Sequence, residues 1–363
     1  WPYARYLAGA RITPEGPGLL SISTPRPVAD LPEILAEFFV MREALDGSVT
    51  IGTGPYRVLD HADRSFAVLE AMAPGRLPQR LGLIAIPSAE ERHRLVAAGE
   101  VEAAANLERM SDPRRRADDL VWTTAANTLS VMYYLDARRG PFAHPSARRA
   151  VNFAVDAHAI VEEVFHGMGV LASTIVSPFH LGHREARIAP FPHEPDTARR
   201  LFDQARVDGE VVLRTPLRMP ERAPAITAMV AYHLGRLGIT TRIDAEADRP
   251  EYAHQVGRGQ IGDMAIFDSS PHSTFRVLND KISSTTRGQW WQGHDDPVLE
   301  PLITAANRTM DDAARADAYG RCLRRLHDNP PWLYLFHPVE AVASRPGSVS
   351  VALDHRGVLS FGA

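Results

Sequence analysis

Residues 141–169 show the clearest pattern of hydrophobic and polar positions in the chain. In the first part of this segment apolar residues recur every three or four positions, as on one face of an α-helix, at Ala147, Ala150, Val151, Ala154 and Val155. Pro145 suits the first turn of that helix, and Asp156 can cap a second one. The second stripe consists of Ile160, Val161, Val164 and Phe165, and Gly167 ends it. The pattern predicts two helices that each bury one face against a sheet.

Strands and helices alternate between residues 210 and 267. Strands are predicted at 210–215, 239–243 and 263–267, and helices at 223–237 and 250–257. This alternation predicts parallel strands joined by crossover helices. Ligands of such sheets bind beyond the carboxyl ends of the strands. We therefore expect ligand contacts in a loop that follows Phe267.

Composition agrees with a large α/β protein. The 363 residues are 45% hydrophobic and 23% charged, enough for a sizeable core and two lobes. The net charge of −4 gives no indication of nucleic acid or of an anionic membrane as a partner. Among 40 basic residues only Lys281 is a lysine, a bias typical of a GC-rich genome. The single cysteine, Cys322, cannot form an internal disulfide, so an oxidising compartment is neither required nor excluded.

The two-helix segment resembles a conserved block of the family 5 extracellular solute-binding proteins, the dipeptide, oligopeptide and nickel receptors of ABC importers. Five further blocks resemble the family in the family's own order, and they lie at residues 52–58, 83–102, 193–202, 231–243 and 311–336. This resemblance implies a two-lobed periplasmic-binding-protein fold of type II, similar to cluster C. Compared with the family, the chain that starts at Trp1-Pro2-Tyr3 is expected to lack an N-terminal part of the first lobe. The implied domains are 1–131 for the first lobe, 132–338 for the second, and 339–363 for a return to the first.

The same resemblance implies a function. We expect a monomeric periplasmic receptor that traps a small solute, most simply a short peptide or peptide-like compound, between hinged lobes and delivers it to an ABC permease. No cofactor and no enzymatic activity are expected. No apolar stretch is long enough to span a bilayer, and no secretion signal opens the chain, so membrane contact is expected only through the permease or a lipid anchor.

Polar residues cluster after the last predicted strand. In peptide-binding members an acidic residue of the corresponding segment holds the α-ammonium group, and Asp268 is the nearest acidic residue here, although Ser270-Pro271 replaces the family's Asp-Pro pair. The candidate ligand contacts in this segment are Phe267, Asp268, Ser269, Ser270, His272 and Ser273. The alternative is a serine-rich turn in which Asp268 caps a following helix.

Aromatic residues supply the remaining candidates. The pair Trp290 and Trp291 could line a slot for side chains, and we expect one of the two to contact ligand. Tyr133 and Tyr134 lie where the chain should cross between lobes. One of them is expected to face the ligand and the other the core, because successive strand side chains point to opposite faces.

Other interpretations have less support in the sequence. His180, His183, Glu185, His193 and Glu194 are close in sequence, but glycine and proline interrupt them and no metal motif is present. A receptor for a nickel chelate could use His272 alone. The module could instead sense an effector in a transcription regulator. A hydrolase built from Asp268, Ser269 and His272 lacks a nucleophile motif.

Overall fold

The computed structural model describes residues 4–38, 40–43, 50–75, 77–110, 112, 119–219 and 222–362, so the chain start at Trp1-Pro2-Tyr3 lies outside the described residues. The strands are β1 Arg11–Gly16, β2 Leu19–Ser23, β3 Met41–Glu43, β4 Thr50–Gly52, β5 Tyr56–Ala62, β6 Phe66–Ala71, β7 Arg80–Ile84, β8 Ala103–Ala104, β9 Val121–Ala126, β10 Ser130–Leu135, β11 Gly169–Leu171, β12 Val211–Pro216, β13 Thr241–Glu246, β14 Met264–Ser269, β15 Trp332–Ser344, β16 Ser350–Leu353 and β17 Leu359–Gly362. The helices are α1 Leu31–Leu35, α2 Ala89–Ala98, α3 Pro145–Ala154, α4 Ala157–Phe165, α5 His183–Ala186, α6 Pro195–Ala205, α7 Ala223–Arg236, α8 Arg249–Gly257, α9 Thr274–Val277, α10 Leu299–Arg308 and α11 Asp312–Asp328, with a π-helical turn at Leu278–Ile282.

The chain divides into two compact units. The first comprises Trp1–Glu37, Thr128–Ala157 and Ala172–Leu335. The second comprises Phe38–Asn127, His158–Leu171 and Phe336–Ala363. The lobe boundaries proposed from the sequence stay a prediction.

A mixed sheet forms the centre of the first unit. Its strands follow the order β15, β10, β14, β12, β13. Strand β12 is parallel to both β13 and β14, as the alternation of strands and crossover helices predicts, whereas β10 is antiparallel to β14. Helix α7 packs on β12 and β13 and buries Ile226, Val230 and Leu234. The predicted α/β organisation of this region is confirmed.

The two helices predicted within residues 141–169 are α3 and α4. In the first unit α3 buries its predicted apolar stripe, starts at Pro145 and packs against α6. It also buries two polar side chains, Arg148 and Asn152. In the second unit the helix α4 buries Val161 and Phe165, and the Phe165 ring lies 4.6 Å from that of Phe336.

The second unit contains an antiparallel meander of β5, β6 and β7. Within this unit β8, β9 and β11 all pair antiparallel with β15. Helix α2 is capped at its start by Ser88, whose hydroxyl accepts a hydrogen bond from the Glu91 N–H over 3.2 Å, and at its end by Gly99, which has a φ of 76°. The core beneath α2 includes Val96, Leu107 and Ala341.

Helix α11 buries Cys322, Leu323 and Leu326. Burial raises the pKa of the Cys322 thiol to about 12, so the thiol stays protonated at neutral pH. At 17 residues α11 is longer than α7. Within the described part of the chain, no helix is both long and apolar enough to span a membrane.

Candidate functional site

Strand β14 extends further than the sequence predicts. Its last residue, Ser269, pairs with Ser130 of β10, so Asp268 and Ser269 lie in the strand rather than in a loop. Asp268 is consequently too far upstream to cap the next helix. The cap is Ser273, whose hydroxyl accepts a hydrogen bond from the Arg276 N–H over 3.1 Å. The alternative in which Asp268 caps the following helix is therefore wrong.

The pairing of β10 with β14 sorts the candidate residues between two faces of the sheet. Residues directly opposite each other in an antiparallel pair point to the same face. One face therefore presents Ser130, Met132 and Tyr134 of β10 with Ala265, Phe267 and Ser269 of β14. The opposite face presents Val131, Tyr133 and Leu135 with Met264, Ile266 and Asp268.

An aromatic cluster covers the first of these faces, and we define it as Tyr134, Phe267, Trp290 and Trp332. The Phe267 ring lies 5.8 Å from that of Tyr134 and 5.1 Å from that of Trp290. Trp332 meets the Tyr134 ring edge to face at 5.6 Å. The structure thus brings together three residues that the sequence proposes separately, at the carboxyl end of β14.

Two cations lie against this cluster. The Lys281 ammonium nitrogen is 5.9 Å from the centroids of both the Tyr134 and the Trp290 rings. The Arg249 guanidinium is 4.9 Å from the centroid of Phe267. Both distances fall within the range of cation–π attraction. Sequence reasoning missed both residues, although Lys281, as the sole lysine, offered a signal.

The other two aromatic candidates lie elsewhere. Tyr133 is fully buried on the opposite face, where its hydroxyl is 2.5 Å from Thr227 Oγ1 of α7. The Trp291 indole N–H donates to the His294 carbonyl over 2.8 Å, and Arg287 lies 5.2 Å from its ring centroid. Both therefore have structural contacts of their own, outside the aromatic cluster.

Several polar groups near the cluster lack hydrogen-bond partners among the described residues. The buried hydroxyls of Ser269 and Tyr134 have none. Burial and the negative charge of Asp268 hold the pKa of the Tyr134 hydroxyl well above its usual range, so this group remains a donor. The half-buried Asp268 carboxylate forms neither a hydrogen bond nor an ion pair within the described part of the chain. Ser270 is exposed.

The histidines are engaged in separate local contacts. His272 is exposed, and its Nδ1 lies 2.9 Å from Thr128 Oγ1. His180 Nε2 is 2.8 Å from the Pro271 carbonyl oxygen, and burial lowers the pKa of His180 to about 4. His183 Nε2 is 3.2 Å from Ser173 Oγ. Over the described ranges, no group of three His, Cys, Asp or Glu side chains could hold a metal ion.

A nucleophile and base pair would need a contact between Ser269 and His272. The Ser269 hydroxyl has no hydrogen-bond partner in the described part of the chain, and the His272 ring is bonded to Thr128. Asp268 and Ser269 also point to opposite faces of the sheet. The arrangement therefore lacks the relay that a serine hydrolase uses.

The fold defines an α/β protein of two units. The chain is similar in structure to the periplasmic binding protein DppA of Helicobacter pylori, solved in complex with the peptide STSA, with a TM-score of 0.76 at 16% identity. That alignment covers 96% of this chain and 73% of the other. Residues 6–280 match the family described as bacterial extracellular solute-binding proteins, family 5. The chain belongs to this family, and the predicted family and fold class are confirmed.

Two curated relatives show how much of each chain the sequence similarity covers. Heme-binding protein A of Haemophilus influenzae is 23% identical over 317 residues, which cover 82% of this chain and 56% of that protein. Di/tripeptide-binding protein 2 of Pseudomonas aeruginosa is 25% identical over 225 residues, which cover 58% of this chain and 41% of that protein. The chain therefore spans about half the length of the curated relatives that it matches.

Proposed function

We propose that this chain is the solute-binding part of an ABC-importer receptor and that it binds a short peptide or peptide-like solute. The observation that supports this function best is the aromatic cluster near the carboxyl end of β14, where the Asp268 carboxylate projects from the opposite face of the same strand. Such a site combines apolar walls with a few polar groups that fix orientation, as small-molecule sites generally do. One of the two relatives described above is named as a di/tripeptide-binding protein, which agrees with a peptide, whereas the other is named as a heme-binding protein.

In this proposal Asp268 binds the ammonium group of the solute. Its carboxylate is half-buried and has no cationic partner within 4.0 Å among the described residues, so a ligand cation can reach it without displacing a salt bridge. A charge-assisted hydrogen bond in a partly desolvated site is stronger than a neutral one. The rings of the aromatic cluster, which cover the other face of the sheet, would contact a different part of the solute.

The variant Asp268→Asn tests this role. We expect about 10- to 100-fold weaker binding of a dipeptide, because the neutral amide loses the charge-assisted bond to the ligand ammonium. Isothermal titration calorimetry with a panel of dipeptides measures the change. Asp203→Asn, an exposed position on α6, is the matched control and should bind as the parent does. Equal affinities for both variants would remove Asp268 from the site.

The paired tryptophans give a second test. Trp290→Ala should weaken dipeptide binding by at least about 10-fold, since it removes a ring of the aromatic cluster. Trp291→Ala removes an equally large side chain that contacts Arg287 and His294 instead, and we expect a much smaller loss of affinity. Calorimetry on both variants shows which of the two tryptophans contacts the dipeptide. A larger loss of affinity for Trp291→Ala would indicate that the ligand does not bind at the aromatic cluster on β14.

The family supports a periplasmic or extracellular location and delivery to an ABC permease. We further propose that the receptor acts as a monomer, binds no nucleic acid and converts no substrate. A dipeptide that is recovered unchanged after prolonged incubation with the protein would agree with binding alone. Transport of a nickel chelate through His272, and effector sensing within a transcription regulator, stay predictions from the sequence.

A further inference from the structure

Lys281 occupies an unusual place in the first unit. It lies in the π-helical turn Leu278–Ile282, directly after the short helix α9. Such turns are rare and occur often at functional sites. The residue is only 6% exposed, although a lysine is seldom buried without a partner. It is also the sole lysine among 40 basic residues.

The Lys281 ammonium group has more hydrogen-bond donors than acceptors in this position. It has three N–H donors, and one of them donates to the Asp268 carbonyl oxygen over 3.1 Å. In the described part of the chain, the Lys281 ammonium group forms no other hydrogen bond and no ion pair. The ammonium nitrogen also lies over the rings of Tyr134 and Trp290, 5.9 Å from each centroid. A buried cation whose N–H donors have no acceptors destabilises the fold unless another group accepts hydrogen bonds from them.

Charge and hydrogen bonding around Lys281 favour an anion as that missing partner. Burial and, to a smaller extent, the nearby Arg276 lower the pKa of the Lys281 ammonium to about 8, whereas Asp268 acts to raise it. The group is therefore still charged at neutral pH. The unpartnered hydroxyls of Tyr134 and Ser269 lie on the sheet face that the aromatic cluster covers. Hydroxyls can donate to the same anion.

We propose that Lys281 is the anion anchor of the candidate site, where it binds a carboxylate of the solute. This proposal rests on the proposed function and makes it more specific. Asp268 and Lys281 then present opposite charges at the end of β14, and neither charge is neutralised by a salt bridge among the described residues. The matching ligand is a zwitterion with a free carboxylate, such as an unblocked dipeptide. A peptide amide lacks the negative charge and should bind more weakly.

The sole lysine makes a direct test possible. Biosynthetic labelling with 13C- and 15N-lysine gives a single labelled side chain, provided that any purification tag contains no lysine. Titration with an unblocked dipeptide should shift the Lys281 Cε and Hε signals, and the corresponding dipeptide amide should shift them little. Trifluoroacetate, a small carboxylate without an ammonium group, should also shift them, at higher concentration.

Variants separate ligand contact from a structural role. We expect Lys281→Met to bind the unblocked dipeptide about 10- to 100-fold more weakly, since a hydrogen bond to a charged group is lost. Its affinity for the dipeptide amide should change little. A lysine that only supports the strand would weaken the acid and the amide alike, and this outcome would overturn the proposal. Lys281→Gln is the second variant if Lys281→Met does not fold, as judged by circular dichroism.

The outcomes also distinguish this proposal from the proposed function. If dipeptides bind by calorimetry but leave the Lys281 signals unchanged, the receptor function stands and the anion anchor is refuted. If no dipeptide binds, the peptide ligand is refuted. The anchor then survives only if trifluoroacetate shifts the Lys281 signals, and it is refuted if trifluoroacetate leaves them unchanged.

Discussion

Replacing Arg148 with methionine is expected to lower the free energy of unfolding by about 3 kcal/mol. The side chain is buried on α3, and its N–H groups donate to three carbonyl oxygens, those of Phe142, Ala143 and Pro330, over 2.8, 3.0 and 3.0 Å. It also donates to Asn329 Oδ1 over 2.6 Å. Methionine fills much of the same volume but leaves these acceptors buried without donors, which costs more than the lost bonds themselves.

The adjacent residue provides the control. Arg149 is exposed on the same helix, so Arg149→Met removes the same charge without uncovering buried acceptors. We expect it to change the free energy of unfolding by no more than about 0.5 kcal/mol. Urea denaturation followed by circular dichroism compares the two midpoints. If both variants unfold at the same urea concentration, the buried hydrogen bonds of Arg148 do not stabilise the fold.

Helix α3 also shows which buried residues a sequence pattern can predict and which it cannot. Its apolar stripe predicts the buried face correctly, because helical periodicity depends only on local geometry. Arg148 and Asn152 do not belong to that stripe, yet both are buried as well. The Asn152 side chain donates to the Trp332 carbonyl oxygen over 2.9 Å and accepts from the Tyr334 N–H over 3.0 Å. These strand partners are 180 residues away in sequence or more, so no local pattern could reveal them.

The candidate site is predictable to a similar extent. The rule that ligands bind beyond the carboxyl ends of strands selects this end of β14, and the structure does bring the proposed Tyr134, Phe267 and Trp290 together. The predicted end of the strand itself is wrong, because pairing with β10 rather than local propensity extends β14 to Ser269. The position of Lys281 depends on a π-helical turn, a feature that periodicity cannot anticipate.

Gly288→Ala is expected to disturb both stability and ligand binding, because this glycine lies against the turn that holds Lys281. A Cβ atom at Gly288 would overlap the backbone carbonyl of Asp280, which cannot move aside as a flexible side chain can. The following Trp290 N–H donates to the same carbonyl over 3.3 Å. We expect the free energy of unfolding to fall by about 1 to 3 kcal/mol, the usual cost of overpacking a buried position.

A second glycine separates this steric effect from the general effect of adding a methyl group. Gly235 lies near the end of α7, and a Cβ there would meet no atom within 4 Å. Gly235→Ala should raise stability by up to about 1 kcal/mol, since alanine favours a helix. Urea denaturation measures the stability of both variants, and the single labelled lysine reports on the site. Its signal should move in Gly288→Ala and stay unchanged in Gly235→Ala, because only the first substitution displaces the turn that positions Lys281. An unchanged lysine signal in Gly288→Ala would show that the turn holds its conformation without the close approach of this glycine.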